Sequence, residues 1–323
     1  MRAILPTDPQ TPTPRVGDLP DPVPGPGEIL VAVEAAGINH ADVMQLRGQY
    51  PPPPGESDVP GLECAGVVLE GETGSPWAPG MRVMALVGGG GHGTRIAIPA
   101  GQLMALPDNL SLIEGGAIPE AALTAWTNLV VEGGLQAGET VLVTGATGGM
   151  GSFAVQLARE LGARVLAAGR SRERLELLRG LGIDEVCLEG ANLAGQIREA
   201  TGGRGVDLVL EFTGGADTAS HLAALAPRGR LVVVGLVGGR KGEVDFGLVL
   251  RNRLHVIGSV LRARPREEKA RLVAAFAAFA LPRLRDGRLR PVVDRVIPLE
   301  RAAEAYQALE RGGAFGKIVL SMV

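Results

Sequence analysis

From Gly145 to Gly151 the chain reads Gly-Ala-Thr-Gly-Gly-Met-Gly, with the apolar run Val141-Leu142-Val143-Thr144 before it and Ser152-Phe153-Ala154-Val155-Gln156-Leu157-Ala158 after it. Residues without a Cβ let a backbone come close to another group. A helix that opens on them offers unpaired N–H groups and a positive dipole end. Such an arrangement suits the pyrophosphate of a dinucleotide. Taken alone the glycine pattern is weak, because a tight turn with no ligand would also use it. One helix length later a second strand candidate arrives, Arg164-Val165-Leu166-Ala167-Ala168-Gly169, and the two read as a βαβ unit.

The end of that second strand selects between nicotinamide cofactors. A carboxylate there would bind the adenosine ribose hydroxyls of NAD, whereas a basic residue accommodates the 2′-phosphate of NADP. The chain continues Arg170-Ser171-Arg172-Glu173-Arg174, with no acid at the tip. Arg170, Ser171 and Arg174 offer guanidinium forks and a hydroxyl to a phosphate. The competing reading is a solvated helix start in which Glu173 and Glu176 balance the arginines. NADPH is the expected cofactor.

Positioning these residues takes strands alternating with helices. Beyond the βαβ unit, strand candidates stand at 186–188, 206–211, 230–235 and 254–259, with helical stretches at 171–181, 193–200 and 216–225 between them. That alternation argues for a doubly wound parallel sheet over 122–262. Upstream, short strands at 28–37, 59–70, 81–87 and 94–99 are punctuated by glycine and proline, as in a β-rich domain. A short helix starts after Asn39, a good N-cap, and a polyproline run follows Tyr50. A helical pattern fills 113–129, with Pro119 interrupting it. The tail holds a helix over 267–285 and a closing strand at 316–320.

Size and composition narrow the classes. At 323 residues the chain has room for about two domains. Hydrophobic content of 46%, charged content of 21% and a net charge of −3 describe an ordinary globular protein without the basic surface that nucleic acid or an anionic membrane would attract. The start, Met1 to Asp8, turns polar too soon for a signal peptide, and the apolar stretch around Leu272 to Leu281 is too short to span a bilayer. Cys64 and Cys187 are too few and too far apart for a disulfide framework or a cysteine metal site. A cytoplasmic protein is expected.

Asn39-His40-Ala41-Asp42-Val43-Met44-Gln45-Leu46-Arg47-Gly48-Gln49-Tyr50-Pro51-Pro52-Pro53-Pro54-Gly55, followed by Gly61-Leu62-Glu63, resembles the zinc-free quinone oxidoreductase (zeta-crystallin-like) branch of the medium-chain dehydrogenase/reductases, and the likeness runs nearly end to end. It implies an α/β protein with a GroES-like β-barrel catalytic domain over 1–121, a Rossmann domain over 122–262, and a segment at 263–323 that completes the first. It also implies cofactor contacts. Thr124 would lie near the nicotinamide amide. Gly145, Ala146, Gly148, Gly149, Met150 and Gly151 would form the pyrophosphate turn. Ser171 and Arg174, with Arg170, would hold the 2′-phosphate, and Gly214, Gly235, Leu236 and Lys317 would face the cofactor. Ala146 stands at the first glycine of the family fingerprint. Glu189 replaces a tyrosine found near the 2′-phosphate in many relatives, and Arg95 replaces an aromatic residue, which implies a more polar substrate pocket.

Zinc-dependent relatives carry a cysteine where this chain has Asn39, and Gly-His-Glu where it has Gly61-Leu62-Glu63. A catalytic zinc needs about three N, S or O ligands, and His40 and His92 read as loop or cap residues, so no metal is expected. Without a Lewis acid to stabilise an alkoxide, suitable small-molecule acceptors are those already electrophilic: quinones, or conjugated enones and enoyl thioesters. Tyr50, which the resemblance places on the wall of the substrate cleft, is the candidate donor to the acceptor oxygen, or an aromatic that packs against substrate. Asn39 resembles the family asparagine that bonds substrate or nicotinamide ribose. The expected activity is NADPH-dependent quinone reduction. An enoyl-thioester or enone reductase is the first alternative, and an NADPH-binding protein with little turnover the second. Relatives pair the edge strand at 254–260, so a homodimer is implied.

Overall fold

The computed structural model describes residues 1–5, 10, 12–71 and 74–322, so the N-terminal reading at Pro6, Thr7 and Asp8 falls outside the described residues. In chain order the first strands are β1 (Arg2–Ile4), β2 (Val16–Asp18), β3 (Glu28–Gly37), β4 (Glu63–Glu70), β5 (Arg82–Leu86), β6 (Arg95–Pro99) and β7 (Leu103–Ala105). Next come β8 (Thr140–Val143), β9 (Arg164–Gly169), β10 (Glu185–Leu188), β11 (Val206–Glu211), β12 (Leu225–Val233) and β13 (His255–Gly258), then β14 (Val293–Pro298) and β15 (Lys317–Ser321). Two compact units result: Met1–Leu123 together with Leu261–Val323, and Thr124–Val260.

In the second unit the strand order is β10-β9-β8-β11-β12-β13, and every neighbouring pair is parallel. Parallel strands are covered on both faces, which explains why Val141, Leu142 and Val143 of β8 and Leu208, Val209 and Leu210 of β11 are all fully buried. Leu142, Leu166 and Val209 join Leu193 and Ile197 of the helix Leu193–Ala200 in one core. The order reverses beside β8. The glycine run therefore leaves the sheet at its topological switch point, where open α/β sheets bind ligands.

The first unit holds a seven-stranded sheet, β14-β15-β3-β4-β5-β7, with β6 also on β3. Its pairs are antiparallel except β14 with β15. Ile29, Val31 and Val33 point from β3 into a core with Val68, Val83 and Ile98. β15 comes from the far end of the chain and pairs with β3, so the C-terminal segment belongs to this unit.

Some elements differ from expectation. The stretch over 113–129 is two helices, Leu112–Gly115 and Pro119–Trp126, followed by a wider π-helical turn, Thr127–Glu132. Pro119 is the first residue of the second helix, where its missing N–H costs nothing. The helices Phe246–Asn252 and Ala302–Arg311 and strand β14 were not anticipated. In Ala302–Arg311 the buried residues are Ala302, Ala305 and Tyr306. Those positions are three and four apart, the spacing of a buried helix face.

Candidate functional site: a nucleotide cradle and a lysine-clamped polar cluster

In the second unit the helix Gly149–Glu160 starts immediately after β8, with Gly148 at its N-cap. The first-turn amides of Gly149, Met150 and Gly151 have no partner within the helix. Gly145 has φ +55°, and its carbonyl accepts from the Gly148 amide at 3.1 Å. Two glycines here have different causes. A Cβ on Gly151 would lie 2.5 Å from the Gly145 carbonyl oxygen and 2.6 Å from Ala146 Cα, so the fold itself demands glycine. A Cβ on Gly148 would meet only the Gly145 oxygen at 3.5 Å, and its φ is −75°. Neither packing nor backbone conformation requires glycine there. Open backbone at a helix start is what a pyrophosphate would use, so the residues fit a dinucleotide.

Ser171 caps the next helix, Arg172–Glu176, accepting from the Arg174 amide at 3.4 Å. Arg170 and Arg174 on either side are exposed, and neither has an ion-pair partner among the described residues. Glu176 pairs instead with Arg172 at 3.9 Å and Arg179 at 2.5 Å. The charge-balanced helix start therefore does not involve the two arginines of interest. Gly214 (φ +65°) packs against Leu236, which is 45% exposed, and Gly235 lies over Phe212. Thr124 is buried, its carbonyl accepting from the Asn128 side chain at 2.7 Å.

At the end of β10, Glu189 turns inward. Its Oε2 lies 3.0 Å from His221 Nε2, and His221 Nδ1 bonds Glu211 Oε2. Glu211 Oε1 accepts from the Thr213 amide and hydroxyl, both at 2.7 Å, and from the Gly214 amide at 2.9 Å. Burial alone would raise the Glu211 carboxyl, but the hydrogen bond and charge of His221, with the Gly214 and Thr213 donors, hold it down at about 2.

In the first unit, Asn39 and Glu63 meet the ammonium of Lys317. Lys317 Nζ is 2.5 Å from Glu63 Oε1 and 2.5 Å from Asn39 Oδ1, while Asn39 Nδ2 donates to Glu63 Oε1 at 3.0 Å. Glu63 Oε2 accepts from the Glu120 amide at 2.9 Å. All three side chains are buried. Asn39 also heads the helix His40–Leu46, its own amide donating to Asp42 at 2.7 Å. Lys317, which the resemblance aligned with a cofactor contact, is thus occupied in this cluster together with Asn39.

Tyr50 is half-buried and rests against Arg262, whose guanidinium carbon lies 5.1 Å from the ring centroid. The Arg262 fork donates to the Tyr50 carbonyl at 3.0 Å, the Gly88 carbonyl at 2.7 Å and Gln45 Oε1 at 2.6 Å. Burial, then the charge of Glu120, raises the Tyr50 phenol, while Arg262 pulls it the other way. The hydroxyl has no hydrogen-bond partner among the described residues.

Residues 149–278 match the family described as zinc-binding dehydrogenase, and residues 25–108 the alcohol dehydrogenase GroES-like domain. A solved quinone oxidoreductase from Thermus thermophilus, also determined in complex with NADPH, is 36% identical, covers both chains completely and superposes with a TM-score of 0.86. The human quinone oxidoreductase is 30% identical over 94% of this chain and 92% of its own. The chain belongs to the quinone oxidoreductase-like branch of the medium-chain dehydrogenase/reductases. Its first unit is the GroES-like domain and its second the Rossmann domain of that family. The chain is also 35% identical to part of the phthioceranic/hydroxyphthioceranic acid synthase of Mycobacterium tuberculosis, where the match covers 92% of this chain but spans only 14% of the synthase's length.

Zinc, named in one family description, does not fit these residues. Leu62 is apolar and buried, and both Asn39 and Glu63 are spent on a fixed ammonium that would repel a second cation. Cys64 is buried beside Glu63, its thiol pushed up to about 12 by burial and by that charge, so it stays neutral. Among the described residues no group of three or more His, Cys, Asp or Glu could hold a metal, and no helix is long and apolar enough to cross a membrane.

The structure adds detail at three positions. His92 is a loop residue, as expected, and it is fully buried, with Nδ1 2.8 Å from the Tyr306 hydroxyl and Nε2 3.1 Å from the Gly37 carbonyl. Arg95 extends to Asp21 at the surface rather than lending polarity to a pocket. Glu189, whose direction the sequence left open, is bound to His221. The sequence reading also passed over Arg262, His221 and Glu211. Glu211 carried a signal, since a carboxylate closing the apolar run Val-Asp-Leu-Val-Leu-Glu sits where parallel strands present ligand groups.

Proposed function

We propose that the chain is a metal-free, NADPH-dependent quinone reductase. The lysine clamp on Asn39 and Glu63 carries this reading. Two positions at which zinc-dependent relatives build their metal site are satisfied by an ammonium, so the acceptor must be electrophilic without a Lewis acid. NADPH, when bound, would supply the hydride. Gly148 to Gly151 would hold its pyrophosphate, Arg170, Ser171 and Arg174 its 2′-phosphate, with Thr124, Gly145, Ala146, Gly214, Gly235 and Leu236 lining the remainder. The unpartnered Tyr50 hydroxyl would donate to the reduced acceptor oxygen, in the manner of an oxyanion donor.

A second reading, reduction of enoyl thioesters or enones, is favoured by the likeness to part of an acid synthase. Purified protein should consume NADPH faster with an ortho-quinone than with a crotonyl thioester. The reverse order would replace the first reading with the second, and tight NADPH binding without consumption of any acceptor would reject both. We also infer a homodimer formed along β13. This strand closes the sheet with Val256 55% exposed, an apolar edge that a second copy would cover.

A further inference from the structure

We propose that His221 is a positioning residue for cofactor choice: it holds the Glu189 carboxylate inward, and so keeps a negative charge away from the turn that carries Arg170 and Ser171. This rests on the reading of that turn as a 2′-phosphate site. Leu188 of β10 is in register with Gly169 of β9, and the Glu189 amide donates to the Gly169 carbonyl at 3.0 Å. The Glu189 backbone therefore lies one strand spacing, about 4.8 Å, from the residue that leads into Arg170. A carboxylate turned outward from that position would compete for the guanidinium groups and repel a phosphate.

It is turned inward and depends on a single partner. The Glu189 side chain is 7% exposed, its Oε2 meets His221 Nε2 at 3.0 Å, and its Oε1 has neither solvent nor a hydrogen-bond partner. His221 is completely buried and faces a carboxylate oxygen at each ring nitrogen. Neutral imidazole has one N–H, so it can satisfy only one of the two; the doubly protonated cation satisfies both. Burial works against that charge, yet the hydrogen bonds and charges of Glu189 and Glu211 hold His221 up at about 9.

The two glutamates do not depend on His221 equally. Glu211 keeps the Thr213 and Gly214 donors whatever becomes of His221. Glu189 keeps nothing. A buried carboxylate without a partner either takes up a proton or moves to water. At the end of β10 the Glu189 backbone is bonded to Gly169, the residue before Arg170, so a side chain released to water stands beside that turn.

The experiment measures dissociation constants for NADPH and NADH on the full chain by fluorescence titration. Wild type should bind NADPH more tightly. His221→Ala, which offers Glu189 no donor, should weaken NADPH about tenfold and change NADH by less than threefold, with His221→Leu used if the alanine variant is too unstable. The double variant Glu189→Gln/His221→Ala should recover wild-type NADPH affinity, because the displaced charge is gone. A purely structural role would weaken both cofactors alike and would not be rescued by the second change. A wild type that prefers NADPH, loses the preference in Arg170→Ala/Arg174→Ala and keeps it in His221→Ala overturns this proposal alone. A wild type that binds both cofactors equally overturns the phosphate reading and this proposal with it.

Discussion

Two arginines and a tyrosine carry the sharpest residue-level expectations. Arg170 and Arg174 are exposed and unpaired among the described residues, so their replacement disturbs no internal partner. Hydrogen bonds to charged groups contribute about 1.5–3 kcal/mol when well formed, and less where solvent screens them. Arg170→Ala/Arg174→Ala should therefore raise KM for NADPH by about tenfold or more while leaving KM for NADH nearly unchanged, and steady-state kinetics with both cofactors check it. An unchanged ratio would leave the arginines as surface charges. Tyr50→Phe keeps the ring on Arg262 and removes only the hydroxyl. A donor at the acceptor oxygen predicts a kcat lowered by about ten- to a hundredfold with KM little changed, whereas mere packing predicts no loss in either.

At the level of elements, the strand-to-helix junction after β8 separates what the fold needs from what a ligand needs. Gly151→Ala should lower the melting temperature, because the new Cβ would collide with the Gly145 carbonyl and the Ala146 backbone; overpacking of this kind costs about 1–3 kcal/mol. Gly148→Ala should melt within a degree or two of wild type and bind NADPH more weakly. If both variants behaved alike, Gly148 would be structural too. Much of this element was legible in the sequence. Glycine spacing, an apolar strand before it and helical periodicity after it are local properties. The helix Ala302–Arg311 was less so, since its apolar face is mostly alanine and takes its meaning from packing against distant residues such as Ile38, Val43, Leu46 and Ile318.

For the whole molecule, the buried Glu189–His221–Glu211 network ties stability to pH. His221 is raised to about 9, so its contribution is complete below about 6.5 and is lost as the pH climbs through 9. Glu211 is lowered to about 2, so its contribution is complete above about 4.5 and is lost as the pH falls through 2. Melting temperature followed across pH should be highest between those limits, and His221→Gln should flatten the alkaline limb. His221→Leu, which leaves two carboxylates without their common cation, should cost about 3–5 kcal/mol in denaturant unfolding. The inferred dimer has its own check. Wild type should elute and scatter as a dimer, and Val256→Lys on β13 should shift it towards monomer; a monomeric wild type would reject the pairing.

Sequence by itself determined the α/β class, the order of β-rich and parallel segments along the chain, the glycine turn between strand and helix, and the presence of an amide and an apolar side chain at Asn39 and Leu62. Each depends on neighbours within a turn or a strand, or on the identity of one side chain. Tertiary structure alone decided that Lys317 clamps Asn39 and Glu63, that Arg262 supports Tyr50, and that Glu189 is held by His221. In each case the partners lie tens to hundreds of residues apart: Lys317 is 278 positions from Asn39, Arg262 is 212 from Tyr50, and Glu189 is 32 from His221. A buried charge is tolerable only beside its counter-charge, and which residue provides it depends on how distant strands and helices pack, which no local pattern records.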